Sequence, residues 1–275
     1  MTQTATILTR TGSIQVELPA ADSEVVEGVR WGSVDAFPSP AYWQYQVLSR
    51  RLYGRPAPYK LGRTLAEELG ACLLGGHGIP ASVGLAAFER LRAFGAFESH
   101  LSQEVLESKL REPLTVNGRQ VRYRFAAQKA KYLAAALPAA QQAPEADSGR
   151  ALRDWLTQLP GVGLKTASWV TRNWTDADDV AILDIHIMRV GQAIGLFPRH
   201  LTVERDYQAL EARFIAFSQA IDVRASELDA VVWYEMASSP STARFLMDAL
   251  SASPAPSAGS RKHKEPTPVQ LRLAA

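Results

Sequence analysis

At 275 residues, 47% hydrophobic and 21% charged, the chain has the balance of an ordinary globular protein with room for one large domain or two closely packed lobes, which excludes disorder or a fibrous architecture for its bulk. No run of about 18 apolar residues is present, and Met1 to Ser13 has neither a basic start nor an apolar stretch, so no membrane span or secretory leader is expected and a cytoplasmic setting follows. Cys72 is the only cysteine, which excludes an internal disulfide and a four-cysteine zinc or iron–sulfur cluster, and a net charge of +2 is too small to name a nucleic-acid partner by itself.

Residues 4–18 alternate around Thr11-Gly12, with Ile14, Val16 and Leu18 on one side, and predict a short β-hairpin. From Pro40 onward apolar residues recur every three or four positions, predicting helices over 41–51, 64–74 and 80–94, the last two separated by Gly75-Gly76-His77-Gly78. Ser102 opens a further short helix to Leu110, and the stretch from Leu114 to Arg124, interrupted by Asn117-Gly118, reads as a small β-hairpin. Helix resumes at Ala126. Arg111, Arg119, Arg122, Arg124, Lys129 and Lys131 stand here against the single acid Glu112, a local field suited to phosphates or simply a solvated basic face.

The stretch 138–149, rich in Ala, Pro, Gln and Asp, predicts a loop between two lobes. Helices are then predicted over 150–158, 164–174, 184–196, 203–220, 226–238 and 241–250, punctuated by Pro160, Gly161, Gly163 and Pro198. Beyond Ala252 the composition turns to Pro, Ser, Gly and Lys and predicts a disordered tail. The organisation expected is mostly α-helical with a short N-terminal β-hairpin: a lobe over 1–140, a second over 141–251, and a tail over 252–275.

Leu159-Pro160-Gly161-Val162-Gly163 joins two helical segments through a turn with two glycines, so that backbone N–H groups of Gly161, Val162 and Gly163 and the positive end of the next helix can hold a phosphate without reading sequence. Such turns also serve purely structural roles. Lys165 follows in the first turn of a helix, where the dipole disfavours a positive charge. A lysine that attacks carbon needs a neutral fraction, which apolar walls or neighbouring cations supply. Asp184, in Ile182-Leu183-Asp184-Ile185-His186, is a carboxylate among apolar residues at a helix start, where capping is the plain alternative to chemistry.

The run from Leu159 to Ser168, followed by Ile182-Leu183-Asp184-Ile185-His186-Ile187-Met188-Arg189, resembles the helix-hairpin-helix GPD superfamily of DNA glycosylases. The similarity spans about residues 60–250 and is densest over 150–240; it implies a fold of two helical lobes with the active site in the cleft between them. A lysine after the hairpin resembles the bifunctional glycosylase/lyases. The endonuclease III branch normally carries an iron–sulfur cluster, for which this chain has no cysteines, and the 8-oxoguanine glycosylases fit better. By this resemblance Lys165 would attack the anomeric carbon of a flipped nucleotide, displace the base and form a Schiff base that leads to β-elimination, and Asp184 would stabilise positive charge on the sugar. His186 would lie toward the DNA backbone with the hairpin glycines. The carbonyls of Thr157, Leu159 and Val162 match positions where the family's hairpin holds a structural monovalent cation against a phosphate. Neither a redox cofactor nor a catalytic metal is expected; the partner is damaged double-stranded DNA, and the chain is expected to act as a monomer.

A flipped base must be held by faces and edges. Trp169, one helical turn after Lys165, shares its face and is a candidate for stacking, or else a core tryptophan. Asp229 and Trp233 share a face of the helix from Glu227 to Tyr234, which resembles the base-recognition helix of the 8-oxoguanine enzymes in its archaeal form, aspartate with tryptophan, rather than the eukaryotic glutamine with phenylalanine. The bland alternative is an exposed aspartate beside a core tryptophan. Trp43, Gln44 and Gln46 are candidates from the first lobe, although an aromatic-rich helix is more often core. The leading reading is an 8-oxoguanine glycosylase/lyase; excision of another modified base and a non-catalytic DNA-binding module are the alternatives.

Overall fold

The chain opens with β1 (Gln3–Leu8) and β2 (Ser13–Leu18), an antiparallel pair in which Ile7 faces Ile14 and Ala5 faces Val16. Paired residues share a face; along β2 burial deepens away from the turn, from Ile14 at 42% exposed to the buried Leu18, while on β1 Ile7, opposite Ile14, is already buried. The computed structural model describes residues 2–54, 59–76 and 78–239 together with 241, 244–246 and 248; half of the expected helix 241–250 and the whole expected tail lie outside the described residues. A second small pair, β3 (Glu24–Val26) and β4 (Val29–Arg30), leads to α1 (Pro40–Tyr53), whose N-cap Ser39 accepts from Tyr42 N and whose first position is proline.

There follow α2 (Leu65–Leu74), α3 (Ala81–Ala93) and α4 (Gln103–Arg111), the first and last capped by Thr64 and Ser102. The hairpin of β5 (Leu114–Val116) and β6 (Arg119–Val121) turns at Asn117 and Gly118, both at positive φ. The second half comprises α5 (Ala126–Ala140), α6 (Gly149–Leu156), α7 (Leu164–Thr175), α8 (Ile185–Ala193), α9 (Val203–Ala220) and α10 (Ala225–Ser238). One expectation is corrected: the loop expected from Pro138 starts later, because α5 runs through Pro138 to Ala140. Leu137 and Ala140 are buried, and their packing carries the last turn past the proline.

Two apolar clusters form the interior. One joins the β1–β2 hairpin and α1 to residues 181–183, α8, α9 and α10. The other joins α2, α3, α4 and α5 to α6, the turn residues Leu159 and Val162, and Ala167 and Val170 of α7. The expected boundary at residue 140 falls inside the sequence span of the second cluster, and the first draws on both ends of the described chain. Between them runs α7, with Leu164 packed on the first cluster and Ala167 in the second. Its charged face is left to meet the start of α8 and the middle of α10.

Candidate active site

The α6–α7 hairpin is set by Gly161. Its φ of +79° is costly for any other residue, and a β-carbon there would come within 2.2 Å of the Tyr132 ring, so α5 lies directly under the turn. Val162 N donates to Leu159 O at 3.1 Å and closes the loop. Gly163 caps α7 without a side chain, and the helix has no acidic residue in its first turn, so no anionic side chain of its own serves its N-terminal amides. Lys165 sits half-buried in that first turn.

Asp184 is the N-cap of α8. Its Oδ1 accepts from His186 N at 2.8 Å and Ile187 N at 2.9 Å, which leaves Oδ2 outside the cap. The capping alternative is therefore real, and it aims the carboxylate rather than excluding it from chemistry. Two buried side chains of α9 fix the approach to it. Glu211 accepts from Ala181 N at 2.9 Å, and the Tyr207 hydroxyl donates to Ala181 O at 2.8 Å while accepting from Leu183 N at 3.3 Å. Glu211 also meets Arg153 of α6 at 2.9 Å, both side chains 4% exposed.

Asp229 is buried on α10, and Trp233, one turn later, is 45% exposed. This inverts the bland reading of an exposed aspartate beside a core tryptophan. Burial pushes the Asp229 carboxyl up to about 6; Arg172 and Lys165 pull it down, and Asp184 pushes it further up. His186 is held below its ordinary value by burial first, with Arg189 and Lys165 acting the same way and Asp184 opposing them. Its Nδ1 is buried without a partner. Lys165, Asp184, His186 and Asp229 thus share one electrostatic neighbourhood.

The remaining candidates disperse. Trp43 is a correction: it is fully buried in the first cluster, with ring centroids 5.7 Å from Phe37 and 5.0 Å from Tyr42, because the apolar face of α1 packs against α10. Gln44 beside it keeps a buried Oε1 without a partner. Gln46 lines a groove with Thr4, Thr6 and Asp35 at the N-terminal hairpin. Trp169 is half-buried and packs on the second cluster, where a β-carbon added to Gly75 would lie 3.1 Å from its ring.

Arg172 is a candidate site residue that sequence reasoning missed. It lies two turns after Lys165 on α7, is 7% exposed, and brings a terminal nitrogen to 3.6 Å from Asp229 Oδ2. Tyr59 covers its guanidinium, 4.4 Å from ring centroid to Cζ. The next residue, Asn173, donates to the buried Glu68 at 2.7 Å, and Glu68 also accepts from Leu61 N and Gly62 N at 2.7 Å each, which ties the segment carrying Tyr59 to α7. The spacing of Lys165, Trp169 and Arg172 was visible in the sequence; the burial of an arginine was not. Among the described residues no group of three or more His, Cys, Asp or Glu side chains could hold a metal ion, and no helix is long and apolar enough to cross a membrane.

A post-hairpin lysine and a capping aspartate that act on the same neighbours, in a mostly helical chain, point to the class of the helix-hairpin-helix DNA glycosylases. Two solved structures share the fold: the 8-oxoguanine DNA glycosylase of Methanocaldococcus jannaschii, with TM-score 0.50 and 26% identity over 64% of this chain and 78% of that one, and a trapped endonuclease III–DNA covalent intermediate, with TM-score 0.51 and 17% identity over 71% and 85%. The chain belongs to the 8-oxoguanine DNA glycosylase family, whose model matches residues 60–223. An 8-oxoguanine DNA glycosylase/AP lyase of Metallosphaera sedula is 28% identical over 198 residues, 68% of this chain and 91% of that protein.

Proposed function

We propose that the chain is a bifunctional glycosylase/AP lyase that flips 8-oxoguanine out of double-stranded DNA and excises it through Lys165. The observation that carries this reading is the placement of Lys165 and the capping Asp184 in one field with the buried Asp229, in a chain of this family. The Lys165 amine attacks C1′, and the bonding pair of the N-glycosidic bond leaves with the base, which takes up a proton. Asp184, its Oδ2 free of the cap, stabilises the positive charge developing on the sugar. Loss of the amine proton and opening of the sugar give the Schiff base; removal of a C2′ hydrogen then expels the 3′ phosphate.

Asp229 is suited to accept from N–H groups on the base, and the exposed ring of Trp233 to stack on it; the unpartnered Oε1 of Gln44 is a further acceptor. The amides of Gly161, Val162 and Gly163, with His186, would hold the backbone. The carbonyls of Thr157, Leu159 and Val162 would hold a monovalent cation in the hairpin, adding positive charge against a phosphate; Leu159 O already serves Val162 N and retains a second lone pair. The test is borohydride reduction of the protein with duplexes bearing 8-oxoguanine, uracil, an abasic site or no lesion. A covalent adduct with 8-oxoguanine that vanishes in Lys165→Gln, while duplex binding survives, is expected. An adduct with the abasic site alone would reassign the base, and no adduct anywhere would reduce the chain to a binding module.

A further inference from the structure

Arg172 holds donors that the described residues do not use. Its Nε and one terminal nitrogen are buried without a hydrogen-bond partner, and the other terminal nitrogen meets Asp229 at 3.6 Å, an ion pair longer than a hydrogen bond. Such groups are rarely left unsatisfied in a folded interior unless a ligand completes them. Tyr59 covers one face of the guanidinium, so its in-plane N–H groups are what remains to offer. The side chain is 7% exposed and two turns along α7 from Lys165, placed for a group that enters the protein rather than for a phosphate left outside.

We infer that Arg172 is a specificity-determining residue: it donates to a carbonyl oxygen of the extruded base while Asp229 accepts from the adjacent ring N–H. Together the two select bases that present a carbonyl beside a ring N–H, as the guanine edge does with O6 and N1–H. They reject adenine- and cytosine-type edges, which place an amino group beside an unprotonated nitrogen and would set donor against donor at Arg172 and acceptor against acceptor at Asp229. The inference rests on the reading that the chain excises 8-oxoguanine and adds the residue that reads its 6-oxygen.

The test pairs a protein change with a base change: single-turnover excision of 8-oxoguanine and of its 6-thio analogue, which keeps N1–H but offers a weak acceptor, by the unaltered protein and by Arg172→Leu. The unaltered protein is expected to slow by about 10-fold or more on the thio analogue, and Arg172→Leu by about 10- to 100-fold on 8-oxoguanine with no further loss on the analogue. The ratio is taken within each protein, so a reduced folded fraction cancels; Arg172→Met supplies the same ratio if the leucine variant does not fold. Borohydride trapping on an abasic duplex, where there is no base to read, is expected to stay within about 3-fold. Losses from the two changes that multiply independently would overturn the inference and leave Arg172 a partner of Asp229 alone. Failure of the unaltered protein to excise 8-oxoguanine at all would instead overturn the functional reading, and this inference with it.

Discussion

Asp229 is surrounded by charge from two elements: Arg172 and Lys165 on α7, and Asp184 at the start of α8. Burial dominates, and the carboxyl rises to about 6. Below that pH it is protonated and gives up acceptor capacity that a base with several N–H groups would use. Excision of 8-oxoguanine is therefore expected to rise with pH through about 6, whereas trapping on an abasic site lacks that limb; single-turnover rates from pH 5 to 8 on both substrates check this, and Asp229→Asn should remove the difference between the profiles. Identical profiles in the unaltered protein would remove Asp229 from base recognition. Asp184 permits a separation of its two jobs. Asparagine caps a helix about as well as aspartate, so Asp184→Asn is expected to keep the melting temperature within a few degrees while slowing base release about 100-fold or more. Asp184→Ala should lose about 1 kcal/mol of stability as well. An Asn variant that turned over normally would leave the carboxylate a cap and nothing else. In the sequence these two roles stood as rivals. The structure joins them, because one oxygen suffices for the cap.

α9 acts at a distance from every candidate side chain, yet it sets Asp184 through Glu211 and Tyr207. Glu211→Gln leaves Arg153 without its buried counter-charge, and a loss of about 3–5 kcal/mol is expected in urea unfolding, with borohydride trapping impaired in whatever fraction remains folded. A loss below about 1 kcal/mol would mean that Asp154, the other carboxylate touching Arg153, suffices alone. This scaffold was illegible in the sequence: Arg153 and Glu211 look like ordinary charges on amphipathic helices, and their meeting depends on how α6 and α9 cross. The hairpin was legible because its signals are local. Two glycines, a proline and the following lysine specify a turn, and Gly161 is needed there both for its φ and for the Tyr132 ring beneath it. Pro138 misled for the complementary reason, since a local breaker was overridden by burial of its neighbours.

At the scale of the whole molecule, the buried residues of the first cluster leave off in α1 and resume at residue 181, with the second cluster built in between. A reading from one end to the other expects lobes that are contiguous in sequence, and no periodicity within a helix reports which distant helix it will meet. The same long-range assembly gives the basic stretch a position. Tyr132 packs under Gly161, so the exposed Lys131 sits beside the hairpin; Arg124 approaches Gly78, at the end of the loop whose Gly75 touches Trp169. Part of the expected field is spent within the protein, since Arg111 pairs with Glu107 and Glu112 is shared by Lys109 and Arg90. What remains at the hairpin is suited to phosphates on any duplex. With the Lys165→Gln background to prevent turnover, the double change Arg124→Gln and Lys131→Gln is expected to weaken binding of lesion-bearing and undamaged duplex by the same factor. It should also flatten the plot of log K against log salt by about 0.9 for each phosphate that is no longer neutralised. Weakening confined to the lesion duplex would instead place these cations in the base pocket, and an unchanged slope would leave the hairpin amides as the backbone grip on this side of the molecule.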